Sequence, residues 1–68
     1  MMWQMSDLFT EVPLAEMIAE AERELHLRRS VYPRQVGRGK LTQTRADRQI
    51  AVMEAIGETL RNISRGGS

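Results

Sequence analysis

Seven side chains in the middle of the sequence have the chemistry of an anion-binding site. They combine the positive charges of arginine and lysine with one tyrosine ring, and a glycine-containing turn runs through them. Arginines beside the start of a helix can hold phosphate groups, and a tyrosine offers a surface on which a base can stack. The candidate ligand-binding residues are Arg28, Arg29, Tyr32, Arg34, Arg38, Lys40 and Arg45. Alternatively, these charges solvate a helix end and neutralise the acidic part of a neighbouring subunit.

Residue sets for other kinds of chemistry are missing from the sequence. Glu16, Glu20 and Glu24 repeat every four residues on one face of a helix, but no histidine stands at the Glu-x-x-His spacing of a di-metal site. There is no cysteine, and a single histidine, His26, cannot form a metal site alone. The G-R-G run is not a nucleotide-binding fingerprint, since no strand precedes it. We therefore predict a protein that is not an enzyme, with no catalytic residue, cofactor or metal.

The length of the chain limits what it can bury by itself. A domain of 68 residues is small, and such domains usually need disulfides, metals or association with another chain. Because the chain has no cysteine for a disulfide, association with another chain is the remaining way to stabilise the fold. The net charge of +1 hides a strong polarity along the chain: residues 1–27 hold six acids and one arginine, whereas residues 28–48 hold seven bases and one aspartate.

The first apolar repeat predicts a helix from about residue 12 to about residue 36. Pro13 suits a first turn, and Gly37 and Gly39 suit a helix end. Pro33 should kink this helix, and the alternative is that the helix stops at Tyr32. The apolar seam, at alternating intervals of four and three, consists of Leu14, Ile18, Ala21, Leu25 and Tyr32, with Arg28 in the missing position.

The second repeat predicts a helix over about residues 43–63, after a turn at 37–42. Thr42 is the expected N-cap. The apolar seam of this second helix consists of Ala46, Ile50, Met53, Gly57 and Leu60. Folding the chain about Gly39 pairs residues whose numbers sum to 78, and both seams then face each other along an antiparallel hairpin. The pairing of Ala21 with Gly57 would let the two backbones approach closely.

A second apolar stripe lies beside these seams. The helices carry it at Met17, Leu27, Val31, Val52, Ile56 and Ile63. One partner helix cannot cover so wide an arc. We therefore predict an all-α, two-helix antiparallel hairpin that dimerises into a four-helix bundle with coiled-coil packing.

The ends of the chain are predicted to lie outside the hairpin. Residues 1–11 form an apolar N-terminal arm, residues 12–63 the hairpin, and residues 64–68 a flexible tail. Trp3 and Phe9 in the arm either cover the open end of the bundle or anchor a partner protein. With Val52, Ile56 and Ile63 they are the candidate partner-interface residues. The arm has no signal-peptide pattern, and no run reaches the ~18 apolar residues of a membrane span, so a cytoplasmic protein with no membrane contact is expected.

Residues 14–60 resemble short, uncharacterised proteins encoded by bacteriophages and prophages of proteobacteria. The shared pattern is R-x-x-V-Y-P (Arg28 to Pro33), then G-x-L-T (Gly39 to Thr42), then A-D-x-x-I-x-x-M-x-A-I (Ala46 to Ile56). The resemblance implies a helical-hairpin protein acting in a bacterial host cytoplasm. It implies no catalytic residue.

Three functions are compatible with these patterns. The favoured one is a non-enzymatic binding protein that engages and modulates a host protein, for example by inhibiting a defence or regulatory factor. The second is binding of nucleic acid, a nucleotide or another small phosphorylated ligand by the basic hairpin turn. The third is a purely structural homo-oligomer.

Overall fold

The computed structural model describes residues 12–66, which form two helices and no strand. Helix α1 spans Leu14–Gly37 and helix α2 spans Gln43–Ser64. Arg28 of α1 contacts Gln49 of α2, whereas Glu22, earlier in α1, contacts Arg61, later in α2. The helices therefore run antiparallel, and the predicted all-α, two-helix hairpin is confirmed.

The start of α1 is defined by Pro13. Its backbone is extended (φ −69°, ψ 153°), and its carbonyl oxygen accepts hydrogen bonds from the backbone N–H groups of Glu16 and Met17. Pro33 lies inside α1, and the helix continues beyond it to Gly37. Because proline has no N–H, the carbonyl of Arg29 loses its intrahelical donor at this point.

The turn between the helices is built by Gly39 and Thr42. At the end of α1, the N–H of Gly39 donates to Val36 O (3.0 Å) and that of Lys40 to Gln35 O (2.9 Å), which is the Schellman pattern. This pattern needs a left-handed residue, and Gly39 has φ +73°. Thr42 then caps α2: its Oγ1 accepts a hydrogen bond from the backbone N–H of Arg45 at 3.1 Å.

The core of the hairpin is thin. Every seam position is buried or half-buried. The buried apolar side chains within residues 12–66 are Ala21, Ala46 and Met53, and Gly57 is buried beside them. The atoms nearest to the space beside Gly57 belong to the Arg61 guanidinium rather than to α1. The small residue at position 57 therefore leaves room for the Arg61 side chain. The sequence predicted a different role for Gly57, namely a close approach to Ala21.

Candidate functional site

One side of the hairpin is closed by ion pairs between the helices. Arg29 of α1 pairs with Glu54 of α2, and Arg61 of α2 pairs with Glu22 of α1 at 3.2 Å. Arg61 also contacts Glu58 at 3.4 Å. These side chains are all substantially exposed, so each pair contributes at most about 1 kcal/mol. The charged side chains named above are therefore paired with one another, and the surface on this side is polar.

The opposite side of the hairpin is apolar. At about 100° per residue, Val52 and Ile56 are each turned about 160° away from Glu54 on α2. Large apolar side chains on this side remain exposed by 38 to 52% of their surface. We call this surface the apolar face; it consists of Met17, Leu27, Val52, Ile56 and Ile63.

A groove runs between the helices along the apolar face. Its floor includes Ala21, Met53 and Leu60, and Ile56 forms its wall on α2. The wall on α1 is charged, because it contains the carboxylates of Glu16, Glu20 and Glu24. The groove is open to solvent and has a volume of about 670 Å³, which is enough for several side chains of another chain. The face thus joins an apolar α2 edge to an acidic α1 edge.

A polar cluster joins the helices in the half of the hairpin nearer the turn. The Tyr32 hydroxyl donates a hydrogen bond to the Gln49 side-chain oxygen at 2.8 Å. Arg28 donates to the Gln49 backbone oxygen at 2.9 Å and to Glu24, also at 2.9 Å. Arg28 and Tyr32 therefore both bind the same residue of α2, Gln49. They are not oriented as free ligand-binding groups.

The basic turn forms a separate surface, which we call the basic tip: Arg34, Arg38, Lys40 and Arg45. All four residues are exposed. Arg34 makes a long hydrogen bond to Ser30 Oγ (3.4 Å). Within residues 12–66, no carboxylate lies within ion-pair distance of these four side chains. A shallow hollow beside them is lined in part by Gly39, Lys40 and Thr42.

The structure thus divides the candidate ligand-binding residues into two groups. Arg28, Arg29 and Tyr32 bond to α2, whereas the four cations of the basic tip have no carboxylate partner within the described part of the chain. Among the candidate partner-interface residues, Val52, Ile56 and Ile63 lie together on the apolar face. Trp3 and Phe9 lie outside the described residues.

The sequence did not point to two parts of these surfaces, Gln49 in the polar cluster and the three glutamates in the groove. Gln49 was not singled out, although its position next to Ile50, the expected partner of Arg28, was a usable signal. The spacing of Glu16, Glu20 and Glu24 was considered only as a possible di-metal set, whereas these residues line the groove. Periodicity alone could have placed Glu24 beside the seam, since it lies four residues before Arg28.

The described residues bring no three metal-ligating side chains together. Across residues 12–66, neither helix has an apolar segment of the kind that crosses a membrane. Comparison with known proteins gave no match to a family model, to a curated protein or to a solved structure.

Proposed function

We propose that this chain is a small, non-enzymatic binding protein that engages a host protein and modulates it in a bacterial cytoplasm. The observation that supports a protein–protein function is the apolar face. Single exposed apolar side chains are common on protein surfaces, but a contiguous group on one side of a molecule marks an interaction surface. The host context comes from the resemblance to phage and prophage proteins.

The thin core supports association as part of this function. Within residues 12–66, the three buried apolar side chains, two of them alanines, give a hairpin of this size little stability by itself. A dimer that forms a four-helix bundle would cover the groove and the apolar face together. The assembly would leave the basic tip uncovered, and Trp3 and Phe9 are the proposed contacts with the host protein, because aromatic residues are frequent binding hot spots.

The assembly is tested by placing a charge on each side of α2. Ile56→Glu puts a carboxylate on the apolar face, and Ala51→Glu, the matched control, puts the same group on the exposed outer side of α2. We expect the unchanged chain and Ala51→Glu to sediment as a dimer, with a melting temperature that rises with concentration. Ile56→Glu should lose both properties. A monomer with a concentration-independent melt for the unchanged chain would refute the assembly.

The host function is tested by capture from bacterial lysate treated with nuclease. Immobilised wild-type protein should retain a host protein that is released by competing soluble protein. Trp3→Ala and Phe9→Ala should each weaken retention by about thirtyfold, equivalent to about 2 kcal/mol for a hot spot. Failure of every lysate to yield a competed partner would contradict this function.

A second function, binding of nucleic acid or a small phosphorylated ligand, is favoured by one observation. The basic tip brings together four exposed cations that have no carboxylate partner within residues 12–66. Phosphate binding would release counterions and depend steeply on salt. Titration with an oligonucleotide and a panel of nucleotides at low and physiological salt tests it.

The tip variant for that titration is Arg34→Ala with Arg38→Ala. Its salt slope should fall by about one unit for each lost phosphate contact. Arg23→Ala with Arg65→Ala removes the same charge away from the tip and should leave the slope unchanged. Absence of binding by the wild-type chain at low salt would eliminate this function.

A further inference from the structure

The apolar side chains on this side of the hairpin are arranged about a similar level on both helices. On α1, the exposed residues Met17 and Leu27 are centred on residue 22. On α2, Val52 and the groove residue Leu60 lie four residues to either side of the exposed Ile56, and Ile63 lies about one turn beyond Leu60. Residues 22 and 56, whose numbers sum to 78, lie at about the same level of the hairpin, since the contacts of Arg28 with Gln49 and of Glu22 with Arg61 join residues whose numbers sum to 77 and 83. A surface arranged about one level of the hairpin can be covered by a copy of itself.

We propose that a second copy of this chain occupies the groove face to face, with its basic tip at the opposite end of the assembly. The two-fold axis runs across the helices near Ile56. This inference rests on the proposed assembly through the apolar face and adds the orientation of the second copy and the residues that meet.

The orientation follows from the different chemistry of the two edges. A two-fold axis across the helices stacks α2 on α2 and α1 on α1. Ile56 then meets its own copy, and Val52 meets Leu60 of the second copy. A two-fold axis along the helices instead stacks α1 on α2, which places the carboxylates of Glu20 and Glu24 over Ile56 and Val52. Burying these carboxylates and their arginine partners against apolar side chains is unfavourable, because the cost of removing the charges from water can exceed their attraction.

The charges favour the same orientation. With the axis across the helices, Met17 meets Leu27 of the second copy, and Glu16 comes level with the second copy's Arg28. Glu20 and Glu24 approach each other across the axis, but each already has an arginine partner in its own chain, Arg23 and Arg28. The basic tips lie at opposite ends and do not repel. With the axis along the helices, both tips would lie side by side.

The chain's own arm is a less suitable occupant of the groove. Residues 1–11 contain two acids, Asp7 and Glu11, and no base. The groove wall on α1 consists of Glu16, Glu20 and Glu24. An acidic segment would add like charges to this wall, whereas a second copy brings Arg28.

Spin labels can measure the orientation because the natural chain has no cysteine. Lys40→Cys places one label at each basic tip, on an exposed turn residue. At 1.5 Å per residue, tips at opposite ends are separated by about 50 Å. Tips at the same end are separated by about 10–20 Å, given a distance of about 8–10 Å between packed helices. We expect the longer distance.

Disulfide trapping provides a second, independent measurement. Ile56→Cys should cross-link to its own copy under mild oxidation, because a residue at the two-fold axis reaches the separation of about 4–7 Å between Cα atoms that a disulfide requires. Ile63→Cys is the matched control on the same face. It lies seven residues from the axis, about 20 Å from its copy, and should not cross-link.

The outcomes separate this inference from the proposed assembly. A dimer with a short distance between tips, or with cross-linking at position 63 and not at position 56, overturns the orientation and leaves the assembly intact. A monomer overturns both. If that monomer also shows blue-shifted fluorescence of Trp3, the only tryptophan, and Ile56→Glu shifts it to the red, then the arm is the occupant. The long distance together with selective cross-linking at position 56 supports the proposal.

Discussion

Gly57→Ala should stabilise this protein although Gly57 is buried at the helix interface. Glycine inside a helix costs about 1 kcal/mol relative to alanine, because the unfolded chain loses more backbone freedom. The cost of the added methyl group depends on what it meets. A Cβ atom at position 57 would lie 3.4, 3.6 and 3.8 Å from three atoms of the Arg61 guanidinium, which are ordinary contact distances.

The expected gain in the free energy of unfolding is about 1–2 kcal/mol. About 1 kcal/mol comes from helix propensity, and up to about 0.8 kcal/mol comes from burial of the methyl group. For a chain of this size, each kcal/mol raises the melting temperature by about 4–8 °C. Chemical denaturation and thermal melts should be run at one fixed chain concentration, since association also changes stability.

Gly39→Ala is the matched control with the opposite sign. Gly39 has φ +73°, and the same methyl group would have open space around it. Its cost is therefore purely conformational, about 1–2 kcal/mol for an L-residue in the left-handed region. A loss of stability in Gly57→Ala as large as that in Gly39→Ala would refute the reasoning. It would mean that α1, and not the mobile end of Arg61, limits the space beside position 57.

Three further changes test single contacts, each by the midpoint of denaturation at fixed chain concentration. Thr42→Ala should destabilise by about 1 kcal/mol, because the N–H of Arg45 loses its cap, and Thr42→Ser should recover most of this loss. Tyr32→Phe should cost about 1 kcal/mol by removing the hydrogen bond to Gln49, and an unchanged midpoint would show that this bond contributes nothing. Glu54→Gln removes an exposed interhelical ion pair and should cost less than about 1 kcal/mol, so a larger loss would contradict its exposed setting.

Local residue chemistry was sufficient to predict the elements of the hairpin. Thr42 was predicted to cap α2, and its hydroxyl accepts the capping hydrogen bond. The sequence predicts the fold point at Gly39, and the left-handed backbone of Gly39 makes the turn after α1. These features depend on a few consecutive residues, and their physical causes, backbone conformation and local hydrogen bonds, act within one turn of the chain.

The tertiary structure decided which charged residues remain free. The sequence grouped Arg28, Arg29 and Tyr32 with the basic tip, because all lie close together along the chain. In the folded hairpin, Arg28 and Tyr32 reach Gln49, and Arg29 reaches Glu54. A long side chain can reach several partners, and the choice depends on how α1 is rotated and shifted against α2, which the period of the apolar residues does not specify.

The sequence by itself determined the two helices, their seams and the presence of surplus apolar residues, since a 3.6-residue period sorts side chains by direction around each axis. Only the packed pair decided that this surplus lies on a single side, opposite the ion pairs of Glu22 and Glu54. It also decided that Arg61 fills the space beside Gly57 and that Glu16, Glu20 and Glu24 line the groove. The physical reason is that each helix supplies only half of each surface. The character of the whole surface is established when the rotation of the two helices about their own axes is set by the burial of Ala21, Ala46 and Met53.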